Sequence, residues 1–72
     1  MMKPLKMGDP VKIYLDAKFG EKEGWYTGVI VRIDPYSAHR GFYWVILDAD
    51  GQTALGIREI SVFNPKNIRK IE

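Results

Sequence analysis

The stretch Glu23–Asp34, EGWYTGVIVRID, decides how this chain is read. It places a Trp-Tyr pair, a glycine and the β-branched run Val29, Ile30, Val31 and Ile33 within twelve positions. Aromatic and β-branched side chains suit a pleated, half-buried surface better than a helix. Residues Trp25 to Ile33 are therefore expected to form the longest strand of a small sheet, with Gly28 giving room for a neighbouring strand or a tight bend. Trp25 is read as an aromatic at the edge of the core that closes the barrel mouth.

Working outward, Val11–Leu15 alternates with period two: Val11, Ile13 and Leu15 share one face, Lys12 and Tyr14 the other. That is the signature of a half-buried strand. Between the two strands, DAKFGEKEG (Asp16–Gly24) is polar, holds two glycines and reads as a loop. Downstream, DPYSAHRG (Asp34–Gly41) opens on Asp-Pro and reads as a second loop. FYWVILD (Phe42–Asp48) is a third strand. It is apolar on both faces, Phe42, Trp44 and Ile46 against Tyr43, Val45 and Leu47, so alternation leaves open which face is inside. Asp48–Gln52, DADGQ, carries the Asp-Gly signal of a tight hairpin. TALGIREISVF (Thr53–Phe63) reads as a fourth strand, broken or bulged at Gly56. NPKN (Asn64–Asn67) predicts one 3₁₀ turn, with Asn64 bonding to amides ahead of it and Pro65 setting φ. Ile68–Glu72 is a short fifth strand.

No window of three turns holds apolar residues at helical spacing, and seven glycines and four prolines punctuate the chain. The expected fold is all-β: residues 1–72 form one five-stranded barrel of SH3-like type, with 1–7 as an N-terminal tail and a 3₁₀ turn before the last strand. Seventy-two residues lie near the lower limit for a single core, and with no cysteine neither disulfides nor thiolate metal sites can reinforce it.

The order of these segments resembles the Tudor-type members of the SH3-like group over about residues 6–71. KMGDPVKI looks like the Gly-Asp entry to their first strand, GWYTGVIVRID like their second strand. YWVILDADG looks like the third strand with its acidic hairpin, and NPKNIRKI like the closing turn and strand. The resemblance implies capture of methylated lysine or arginine in an aromatic cage, where ring faces replace the water around a bulky cation. Carried onto this chain, the cage positions are Leu15, Tyr26, Leu47 and Asp50. Only Tyr26 is aromatic, so the cage is mostly absent.

The charge balance, eleven Lys+Arg against nine Asp+Glu, gives a net +2, short of the excess that makes nucleic acid the default partner. In a meander, Asp16, Glu21, Glu23, Asp48 and Asp50 gather at one end with Lys18 and Lys22. Lys3, Lys6, Arg32, Arg40, Arg58 and Lys66 gather at the other with His39, against Asp9, Asp34 and Glu59. His39 is the only histidine, so one chain offers no zinc site and no oriented nucleophile–base pair. Asp48-x-Asp50 with Glu59 at the twelfth position mimics a calcium loop, but Thr53 stands where such loops need glycine. No apolar run is long enough for a bilayer, and the start MMKPLKMGD has no apolar segment of signal-peptide type.

The expectation is a soluble, cytoplasmic, non-enzymatic binding module without cofactor or metal. It serves as a protein-interaction or accessory subunit of a larger complex, docking through exposed aromatics, with Tyr26, Tyr36, Phe42 and Trp44 as the contact residues. A second copy of the chain could also occupy that face. The alternative is a nucleic-acid-binding barrel in which Arg32, Arg40, Arg58 and Lys66 hold phosphates of RNA or DNA while Tyr36 stacks.

Overall fold

The computed structural model describes residues 5–37 and 41–71. It holds one five-stranded antiparallel sheet in the order β4-β3-β2-β1-β5. The strands are β1 (Pro10–Leu15), β2 (Gly24–Pro35), β3 (Gly41–Leu47), β4 (Glu59–Val62) and β5 (Ile68–Lys70). β4 and β5 are the two edges, and no hydrogen bonds between them close the sheet.

β2 organises the rest. Its first part pairs with β1 (Leu15 opposite Gly24 to Pro10 opposite Val29), its later part with β3 (Gly28 opposite Leu47 to Pro35 opposite Gly41). Gly28 and Val29 are the positions that both registers share. A bulge at Val31 shifts the register with β3 between Ile30 and Arg32. Bulges add twist and bend a strand. This one also reverses parity, so Ile30 faces the core, Arg32 the outer face, and Ile33 packs on the core again.

Every strand contributes to the core: Val11, Ile13, Leu15, Ile30, Val45, Leu47, Val62 and Ile68 are buried. Val45 and Leu47 settle the face of β3 that alternation left open. Tyr43, Val45 and Leu47 point inward, Phe42, Trp44 and Ile46 outward. Leu5 packs against the core as well, and Lys6–Asp9 makes a turn through Gly8 (φ 90°), closed by the Asp9 N–H donating to the Lys6 carbonyl at 3.1 Å. The buried Asp9 carboxylate accepts from the Lys6 N–H at 3.0 Å and lies 3.7 Å from Lys70 Nζ. The chain is thus in contact with the core from Leu5 onward.

Three segments differ from the sequence expectation. The tight hairpin at Asp48–Gln52 is instead the start of a short helix, α1 (Ala49–Leu55). Asp48 caps it by accepting the Gly51 N–H at 2.8 Å, and Gly56 ends it in the left-handed conformation (φ 70°). Gly56 is therefore a helix cap rather than a strand bulge. The fourth strand is shortened to Glu59–Val62 because residues from Thr53 belong to this helix and its exit. The loop Asp16–Gly24 contains a 3₁₀ segment (Ala17–Lys22), kinked at Gly20 and capped by Asp16 accepting from the Lys18 N–H. The second 3₁₀ turn, Pro65–Asn67, forms as expected, with Asn64 accepting from the Lys66 N–H at 2.9 Å.

Candidate functional site

The densest aromatic group on the surface lies where β2 ends, β3 begins and β4 exits. Tyr36, Phe42 and Phe63 meet pairwise. Ring centroids are 6.2 Å apart for Tyr36–Phe42, 5.3 Å for Tyr36–Phe63 and 4.8 Å for Phe42–Phe63, and Tyr36 stands edge-on to both phenylalanines. Tyr36 is 69% exposed and Phe42 37%. The antiparallel register positions them: Asp34 faces Phe42 across β2 and β3, and Val62 faces Tyr43 across β3 and β4, which delivers Phe63 to the same end. Edge-to-face rings are stabilised by their quadrupoles, so the group keeps its shape while presenting apolar surface to solvent.

Beside it, Trp44 is half-buried on the outer face. Its indole Nε1 donates to Asp34 Oδ2 at 3.0 Å, and the Arg32 guanidinium sits 5.0 Å from its ring centroid while pairing with the same oxygen at 2.9 Å. Arg32, Asp34 and Trp44 thus form a closed polar–aromatic unit rather than a free cation beside a free ring.

Of the four residues read as partner-binding, the structure brings together Tyr36 and Phe42, with Trp44 adjoining them. Tyr26 lies elsewhere. It is half-buried against the core, and its hydroxyl donates to the Lys22 carbonyl at 2.7 Å. Its neighbour Trp25 is the more exposed of the pair, at 45%, rather than the aromatic that closes the core. The reason is register: Tyr26, Gly28 and Ile30 form the inward row of β2, while Trp25 falls on the outer row opposite Tyr14. Phe63, the third ring of the aromatic group, carries no comparable signal in the sequence, because it follows the strand rather than belonging to its alternation.

The expected basic end does not assemble among the described residues. Arg32 is engaged as described. Arg58 sits at the opposite end of β4, its carbonyl accepting from the Leu47 N–H beside α1. Lys66 belongs to the second 3₁₀ turn, whose cap Asn64 and last residue Asn67 share a groove of about 380 Å³ with Asp16, Lys18 and Phe19. Arg40, His39 and Lys3 lie outside the described residues.

The cage positions carried over from the resemblance do not converge either. Leu15 and Leu47 are core, while Tyr26 and Asp50 line a hollow of about 300 Å³ with Trp25, Thr27, Asp48 and Gly51. In that hollow the Thr27 hydroxyl donates to Asp48 Oδ2, and this bond, followed by the Gly51 N–H, holds the Asp48 carboxyl below the ordinary carboxylate range. A depressed folded value stabilises the fold above the unfolded value, and the gain is lost as pH falls through the folded one. Thr27→Val should therefore lower the thermal midpoint most at neutral pH, with the difference from wild type vanishing in acid. A difference that stays constant with pH would show that the threonine acts by packing alone.

No group of three or more His, Cys, Asp or Glu able to hold a metal ion occurs among the described residues, and none of their helices is long and apolar enough to cross a membrane. Comparison of the chain with protein families, with curated proteins and with solved structures finds no match.

Proposed function

We propose that the protein is a non-catalytic interaction module of SH3-like barrel type, docking on a protein partner through the Tyr36–Phe42–Phe63 end. The strand order β4-β3-β2-β1-β5, the long bent β2 and the 3₁₀ turn before β5 support the barrel reading. One observation carries the docking reading: Tyr36 and Phe42 stay exposed, packed on the half-buried Phe63, although the described residues hold a separate core of eight buried side chains. Rigid aromatic groups of this kind supply contact area at little entropic cost and dominate binding energy at protein interfaces. The dispersal of Arg32, Arg58 and Lys66 weighs against the same end serving as a phosphate clamp.

Affinity capture from native extract, with and without nuclease, tests this. A partner retained at fixed stoichiometry after nuclease is expected. A Tyr36→Ala/Phe42→Ser variant should weaken it by roughly 30-fold or more, since hot-spot truncations exceed about 2 kcal/mol each. The thermal midpoint of Tyr36→Ala alone should stay within a few degrees of wild type, because Tyr36 projects into solvent, so its own loss of capture separates docking from unfolding. Capture that survives the double substitution, or that disappears on nuclease treatment, would remove the reading.

A further inference from the structure

A second surface lies on the outer face of β5, β1 and the start of β2, away from the aromatic end. Lys12 of β1 stands directly opposite Arg69 of β5 in the antiparallel register. Like charges directly opposed on a sheet repel. Yet neither has a carboxylate partner: the ion pairs among the described residues are Arg32–Asp34 and Lys70–Asp9. Both cations instead converge on Trp25, with Lys12 Nζ 5.3 Å and the Arg69 guanidinium carbon 5.4 Å from its ring centroid. The Tyr14 ring packs 5.3 Å from the same indole, and its hydroxyl is held by Glu23. Of the two carboxylates that line the adjoining hollow, Asp48 and Asp50, the first is likewise engaged, by Thr27 and Gly51.

An exposed indole with two unneutralised cations beside it has the composition of a stacking platform with a phosphate clamp. We propose that this surface binds single-stranded nucleic acid, with Lys12 and Arg69 holding a backbone phosphate and a base stacking on Trp25. The guanidinium of Arg69 matches two phosphate oxygens at once, Lys12 supplies a point charge, and a bridging phosphate removes the repulsion between them. Base–indole stacking is tolerant of sequence, so no base-specific readout is expected. An acidic peptide would use the two cations and leave the indole idle, which is why nucleic acid is the better fit. This site is independent of the docking end, sharing no residue with it.

The test is fluorescence anisotropy of the full chain with a labelled oligothymidylate of roughly twelve nucleotides, within the span of one small barrel. Binding should weaken steeply with salt. Trp25→Ala should weaken it by roughly tenfold or more, with Trp25→Phe retaining part of the affinity because a ring remains. Lys12→Gln/Arg69→Gln should flatten the slope of log affinity against log salt by about 0.7 for each phosphate that is no longer neutralised. Unchanged thermal midpoints distinguish these effects from unfolding. Three results would overturn the proposal: no binding by wild type at low salt; binding abolished on replacing Arg32, Arg58 and Lys66 but not the Trp25 set; or equal affinity for a poly-glutamate peptide that ignores Trp25→Ala, which would mark a surface that reads charge alone.

Discussion

Gly28→Val should lower the thermal midpoint by about 15 °C or more, corresponding to roughly 3 kcal/mol in a domain of this size. Gly28 sits on the inward row of β2 in the segment flanked by both neighbours, opposite Val11 on β1 and Leu47 on β3. A Cβ there would stand 2.6 Å from Val45 Cγ1 and closer still to the Ile46 carbonyl oxygen. The first of these could turn aside. The second is backbone, held in a strand that itself pairs with β2 and β4, so relief requires the sheet to separate. Gly28→Ala should show a smaller version of the same loss, and adding Val45→Ala should recover little of it. A single methyl tolerated at position 28, with the midpoint unchanged, would mean that β2 and β3 approach less closely than the structure places them. For a chain whose whole stability is expected at about 4–11 kcal/mol, from about 0.05–0.15 kcal/mol per residue, the valine variant gives up a large share of it.

Ile13→Ala makes the opposite disturbance in the same core and should cost about 2–5 kcal/mol in urea unfolding. Ile13 has no exposed surface, and its backbone faces Tyr26 on β2 and Ile68 on β5. Truncation leaves a void against partners anchored in two other strands, and so poorly placed to collapse into it. Ile13→Val should cost only about 0.5–1.5 kcal/mol, since one methylene is removed and the branched shape is kept. A loss below about 1 kcal/mol for the alanine variant, well under the usual range, would indicate that β5 moves in to fill the space, making that edge strand adaptable rather than rigidly docked.

Four of the five strands and the second 3₁₀ turn are legible in the sequence because their signals are local. Val11–Leu15 alternates, Trp25–Ile33 is β-branched, and Asn64-Pro65 is a start signal that needs no tertiary partner. α1 is not legible because nothing in Ala49–Leu55 forms an apolar stripe; caps at Asp48 and Gly56 define it, and the same Asp-x-Asp-Gly reads equally well as a hairpin. The outer face of β3 is undecidable from alternation, since both of its rows are apolar and only the cross-strand partners, Ile30 of β2 and Ile60 and Val62 of β4, select one. The burial of Trp25 and Tyr26 is hidden for a related reason. Gly28 interrupts the inward row with no side chain, so the row Tyr26–Gly28–Ile30 carries no apolar pattern at its centre. Nor does single-residue charge show which cations meet. Lys12 and Arg69 are 57 positions apart (69 minus 12) and become neighbours only through the β1–β5 register.

That register has a kinetic side. β2 and β3 are joined by a short connection and can pair early, whereas β5 reaches β1 only after nearly the whole chain has been brought round, an encounter that loop-closure entropy delays. β5 is also a three-residue edge, secured by one neighbour, so it should be the last element to dock and the first to peel away. The Lys12–Arg69 pair exists only while β5 is docked. Any anion that bridges the two side chains therefore acts as a latch on the final step of folding, and fraying of this edge releases the anion with it.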